Sequence, residues 1–124
     1  MKITDLVWLL SGVLLNAAAQ LGLKAATRAT GAIAATVPGA LLALRQLMLT
    51  PAFWLALCAY GASLAVWIVG LSRVPVSQAY PVLSIGYVLT AFAAWAMLGE
   101  TISVQRAAGI AIIIAGVWLV ARSN

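Results

Sequence analysis

The sequence predicts an all-α membrane protein: four transmembrane helices with an extra interfacial amphipathic helix between the first and the second. Composition is the first observation behind this. The chain is 65% hydrophobic and 7% charged, whereas soluble domains are about a quarter charged. Too few charges are present to clothe a soluble surface. The second observation is four apolar runs, at about residues 6–24, 53–71, 76–98 and 103–121. Each is long enough to cross about 30 Å of hydrocarbon as a helix. The third is that Lys and Arg lie near the ends of these runs, where they hold segments at the headgroups. The 124 residues form one domain.

The first run also has features of a signal peptide: Lys2, an apolar stretch, then Ala17-Ala18-Ala19. Asp5 spoils the basic start, so the run is read as a retained span. Residues 27–36 are punctuated by Gly31, and Pro38 and Gly39 open the next stretch. Residues 37–50 set Leu41, Leu42, Leu44, Leu47 and Met48 around Arg45 and Gln46. That stretch is too short to span, and an amphipathic helix in the interface fits it. It either connects two spans or shields a lateral opening. The second span starts behind Pro51, where a helix tolerates proline. Its small residues Gly61, Ala62 and Ser63 admit a close neighbour. The short loop Ser72-Arg73-Val74-Pro75 makes spans two and three an antiparallel hairpin.

The third span carries Pro81 and Gly86, which together predict a kink. Ser77, Tyr80, Ser84 and Tyr87 fall near one face of it. That face either binds a sugar or headgroup, or its hydroxyls return to their own backbone. Gly99-Glu100-Thr101 breaks the chain before the fourth span. There Ala107, Ala111 and Ala115 recur every four residues, with Gly109 and Gly116 a heptad apart. Small residues so spaced mark a helix–helix interface, either between two copies or within one protomer. Between copies, as a dimer interface, is the expectation.

The inventory of reactive groups is short. There is no His and a single Cys, Cys58; Asp5 and Glu100 are the only acids and lie far apart. No nucleophile–base pair, metal cluster or cofactor site arises from this set, and the expectation is a non-enzyme. The net charge of +5 has no basic cluster interleaved with aromatics, so nucleic acid is not an expected partner.

Against that background one pattern stands out. Asn16, Gln20, Lys24 and Arg28 recur every four residues, a polar stripe drifting slowly around the first helix. Polar groups are costly in a bilayer, so a line of them running from mid-span to a basic mouth is a candidate substrate site. The alternative is that the amides bind helices together and the cations mark a membrane edge.

The run from Val74 to Ser84, VPVSQAYPVLS, resembles the third-helix signature of the small multidrug resistance branch of the drug/metabolite transporter superfamily, with its EamA-like relatives. Gly99-Glu100 and the stretch from Gly109 to Val117, GIAIIIAGV, are similar to the segment after that signature in the same branch, and the likeness runs through all four spans. The Gln-x-x-x-Lys of Gln20 and Lys24, Ala79-Tyr80-Pro81 and Glu100 resemble the small flippase subunits that carry aminoarabinose-phosphoundecaprenol. Only the insert at residues 27–50 departs in length.

One departure from the drug exporters is informative. Their first helix carries a proton-binding glutamate eight residues before a lysine; counting back eight from Lys24 gives Asn16. An amide does not titrate. The aromatic that those exporters place three residues after the third-helix tyrosine is also replaced, by Leu83. A cationic drug loses its counter-charge here, while Lys24 and Arg28 offer one to a phosphate.

The resemblance therefore implies a flippase or flippase subunit for a polyprenyl-phosphate-linked sugar or similar anionic lipid, in the bacterial inner membrane. Lys24 and Arg28 would hold the phosphate, and Asn16, Gln20, Tyr80 and Ser84 the headgroup. The expected assembly is a homodimer, or a heterodimer with a related small subunit. The alternatives are a small multidrug-type exporter, with Glu100 as an ion-pair or coupling acid, and a non-transporting accessory subunit. Basic residues split between the two sides as Lys2, Arg73 and Arg122 against Lys24, Arg28, Arg45 and Arg106. That near-balance sets no orientation and permits antiparallel dimers.

Overall fold

The structure, a computed structural model, describes residues 2–123. It contains α1 (Ile3–Ala26), α2 (Val37–Met48), α3 (Pro51–Leu71), α4 (Val76–Met97) and α5 (Val104–Arg122). Helices α1, α3, α4 and α5 are each long and apolar enough to cross a membrane, and α2 is the shorter helix between the first two of them. The ends obey local chemistry. Thr36 caps α2 by accepting from the Gly39 backbone N–H at 3.2 Å, and Ser103 caps α5 by accepting from that of Arg106 at 3.2 Å. Pro51 opens α3 at a position where its missing N–H costs nothing.

Helix α1 is the hub. It packs along both α3 and α4, while α3 and α4 touch each other little beyond the T-shaped pair of Trp67 and Tyr80. The short Ser72–Pro75 loop thus joins two antiparallel helices at one end, and α1 wedges between them. Its buried residues Leu9 and Val13 form the core with Val74 of that loop and with Ala79 and Val82 of α4. Van der Waals fit has to supply this association in lipid, where apolar burial gives no drive between helices.

Glycines set the spacing. A side chain on Gly22 would bring its Cβ within 3.0 Å of the Ala56 Cβ, and one on Gly86 within 3.1 Å of Val13 Cγ1. Helix α4 runs unbroken through both Pro81 and Gly86, and the missing side chain at Gly86 is what lets α1 lie close. Of the three small residues in α3, Ser63 is buried toward α1, whereas Gly61 and Ala62 are exposed.

A contrast between glycines tests this packing. Gly22→Leu is expected to cost about 1–3 kcal/mol by overpacking α1 against α3. Gly61→Leu faces open space and should stay within about 0.5 kcal/mol. Thermal unfolding in detergent measures both, and equal midpoints would disprove the close α1–α3 contact.

Helix α5 lies outermost, packed mainly on α4, with Val117 its one buried residue. The two acids each tie one end of α1 to a loop. Asp5, largely buried, pairs with Arg73 of the α3–α4 loop at 3.8 Å, and Lys24 pairs with Glu100 of the α4–α5 loop at 3.5 Å.

Candidate functional site

The polar stripe of α1 faces the space between α3 and α4. Asn16 lines a groove of about 430 Å³ between α1 and α3, together with Gly12, Tyr60, Ser63 and Trp67. It also lines a second groove of about 590 Å³ between α1 and α4, with Gln20, Gly86, Tyr87, Thr90 and Glu100. A third, of about 500 Å³, opens at the end of α1 and is lined by Lys24, Thr27, Arg28, Gly31 and Glu100 among others. Asn16 is shared by the first two grooves and Glu100 by the last two. The three adjoining grooves form a track from the middle of the helices to their edge, open along its side, with these polar side chains set among largely apolar walls.

Local chemistry ends the helical part of the stripe early. Helix α1 stops at Ala26, and Arg28 stands in the turn just beyond it. The Thr27 hydroxyl donates to the Lys24 carbonyl at 2.6 Å, and the Gly31 N–H donates to the Thr27 carbonyl at 2.8 Å. Gly31 reaches the left-handed region, φ +64°, that such a turn needs. Arg28 still shares the groove with Lys24, so two cations meet one carboxylate there. Lys24 lies in the last turn of α1, where the helix dipole favours a cation.

Two further placements modify the sequence reading. Gln20 donates from Nε2 to the Tyr60 hydroxyl of α3, a partner that sequence reasoning did not single out. Tyr60 sits forty residues along the chain and reads locally as one more aromatic in an apolar span. Tyr80 and Ser84 line none of the three grooves. Tyr80 packs against Trp67 in a T-shaped pair, with centroids 6.4 Å apart and planes at 86°. It lies about 10 Å along α4 from Tyr87, which does line the track.

Chemically, the track offers amides and hydroxyls at mid-depth and charges at the edge. Asn16, Gln20, Tyr60 and Thr90 both donate and accept hydrogen bonds, which suits a polyhydroxylated group. Lys24 and Arg28 suit a phosphate. Among the described residues no group of three His, Cys, Asp or Glu side chains is placed to hold a metal ion.

Four apolar helices, with a track of polar side chains between α1, α3 and α4, define a small multi-pass membrane protein of transporter type. Residues 6–122 match the EamA-like transporter family, and the chain belongs to it. The probable 4-amino-4-deoxy-L-arabinose-phosphoundecaprenol flippase subunit ArnF of Erwinia tasmaniensis is 39% identical over 118 residues, covering 93% of this chain and 92% of its own. Subunits named ArnE, with the same description, are similar over a shorter stretch. That of Pseudomonas fluorescens is 40% identical over 75 residues, 60% of this chain and 66% of its own. That of Pseudomonas aeruginosa LESB58 is 43% identical over 70 residues, 56% and 61%. The chain thus spans slightly under two thirds of these two Pseudomonas relatives. No solved structure matches it.

Proposed function

We propose that this chain is a subunit of a lipid-carrier flippase, moving a polyprenyl-phosphate-linked sugar or a similar anionic lipid across the bacterial inner membrane. The observation that carries this reading is the pair of adjoining grooves from Asn16 to Arg28, which share Glu100. They hold uncharged hydrogen-bonding groups at depth and cations at the mouth. The names of the similar subunits point the same way. Lys24 and Arg28 hold the phosphate, Asn16, Gln20 and Tyr60 meet the sugar, and the polyprenyl tail stays in lipid beside the open track. Helix α2, with its apolar side chains around Arg45, lies in the interface next to the mouth.

A groove open along its side needs a second wall. That wall is a second small subunit, either another copy or a related chain, seated against the small residues of α5. The drug-exporter alternative would place proton coupling on Glu100. That carboxylate lies outside the four helices and is engaged by Lys24, a poor position for exchange with a membrane-embedded cation.

Purified protein in liposomes tests the reading. Wild type, alone or with its partner subunit, is expected to translocate a labelled polyprenyl phosphate sugar and to leave ethidium in place under a proton gradient. Robust dye efflux would overturn the flippase assignment in favour of an exporter. Movement of neither would favour an accessory role.

A further inference from the structure

We infer that Glu100 reads a primary ammonium on the transported headgroup, so that the Lys24–Glu100 pair is a template for a zwitterionic lipid phosphodiester rather than for a plain anion. The inference rests on the flippase reading and adds a specificity-determining residue to it. Glu100 is the sole carboxylate on the track; the other acid, Asp5, is tied to Arg73 at the opposite end of α1. It lines both the mid-depth groove and the mouth. A headgroup with its phosphate at Lys24 and its sugar beside Asn16 and Gln20 therefore passes this side chain.

The backbone that carries this carboxylate is held in place. Gly99, at φ +71°, turns the chain back over the end of α4, and the Glu100 N–H donates to the Ala94 carbonyl at 3.2 Å. At 3.5 Å, with both side chains about half exposed, the pair is accessible and weakly held.

Charge accounting then separates two kinds of ligand. A plain phosphodiester held by both Lys24 and Arg28 draws away the one cation that pairs with Glu100 among the described residues and sets a second negative charge beside that carboxylate, a like-charge contact at the edge of a low-dielectric region. A phosphodiester that carries an ammonium takes both partners at once. Phosphate replaces Glu100 on Lys24 and also meets Arg28, the ammonium replaces Lys24 on Glu100, and the carboxylate keeps a partner of opposite charge. An amino-sugar polyprenyl phosphate and phosphatidylethanolamine are membrane lipids with this chemistry.

The test uses the full chain in detergent, with four ligands: an amino-sugar polyprenyl phosphate, short-chain phosphatidylethanolamine, and the N-acetyl form of each. Acetylation removes the positive charge and keeps the phosphate. For wild type, acetylating the true ligand class is expected to weaken binding roughly tenfold or more, the scale of a lost charge-assisted contact. In Glu100→Gln that difference should vanish, and the acetylated lipid should bind more tightly than it does to wild type, because Lys24 is released. The lipid pair that shows the Glu100-dependent difference identifies the source of the ammonium. Equal binding of both forms to wild type, or a preference that survives Glu100→Gln, would overturn the role of Glu100. If both forms bind equally but binding still depends on Lys24, the flippase reading stands and the amine role alone fails. If none of the four lipids binds, the flippase reading itself fails, and the amine role with it.

Discussion

Lys24→Ala is expected to weaken binding of a polyprenyl phosphate sugar by roughly ten- to a hundredfold. Losing a charge-assisted contact costs about 1.5–3 kcal/mol, and each 1.4 kcal/mol is about a decade in affinity. A second effect acts in the same direction, because removing Lys24 leaves Glu100 beside the incoming phosphate. The two are separable by a double-mutant cycle. If Lys24 holds the phosphate directly, Lys24→Ala with Glu100→Ala remains a weak binder. If Lys24 serves only to neutralise Glu100, the double variant recovers. Lys24→Arg should rescue in part, since the guanidinium fork also grips phosphate. Folding should survive all of these changes. The pair is exposed on both sides, and such a pair contributes less than about 1 kcal/mol. Wild-type affinity in Lys24→Ala, measured by titration in detergent, would remove Lys24 from the site and leave Arg28 as the cation to examine.

Much of the architecture is local in origin and so was legible residue by residue. The α1, α3, α4 and α5 ends fall within a few residues of the apolar-run boundaries because Pro51, Pro75 and Ser103 stop or start helices by their own chemistry. The polar stripe was legible for the same reason, since four-residue spacing places Asn16, Gln20 and Lys24 on one face of any helix. What the one-dimensional pattern hides is which helices meet. The short loop after α3 suggests an intimate α3–α4 pair, yet the small residues Gly12 and Gly22 of α1 admit α3 at closer range. The partner of Gln20 is likewise a matter of pairing, because only the α1–α3 contact brings Tyr60 to it. Tyr80 and Ser84 illustrate the opposite limit. A hydroxyl face is readable from spacing, but its height along the axis relative to α1 is not, and the register puts Tyr87 and Thr90 beside the track instead.

The proposed dimer face carries the other large expected effect. Helix α5 packs mainly on α4, and it leaves Ala107, Ala111 and Ala115 exposed. Side chains added at Gly109 or Gly116 would meet nothing within 4 Å. The five small residues do not form one stripe. At about 100° per residue, Gly116 stands roughly 140° around the helix from Ala111, so the alanines and glycines occupy two flanks on either side of the buried Val117. A single two-helix contact can be centred on one flank only. The alanine flank has the four-residue repeat that brings backbones together in lipid. Ala111→Leu should therefore cost about 1–3 kcal/mol of association by overpacking, or roughly five- to a hundredfold in dimer dissociation. Ile112→Leu conserves volume and should leave the dimer unchanged. Crosslinking in membranes reads all of these variants. Should Gly116→Leu disrupt the dimer while Ala111→Leu does not, the contact belongs to the glycine flank. Should both variants dimerise like wild type, α5 is not the assembly surface. The second wall of the track would then have to come from a partner seated directly over Trp67 and Tyr87, where the first two grooves stand open.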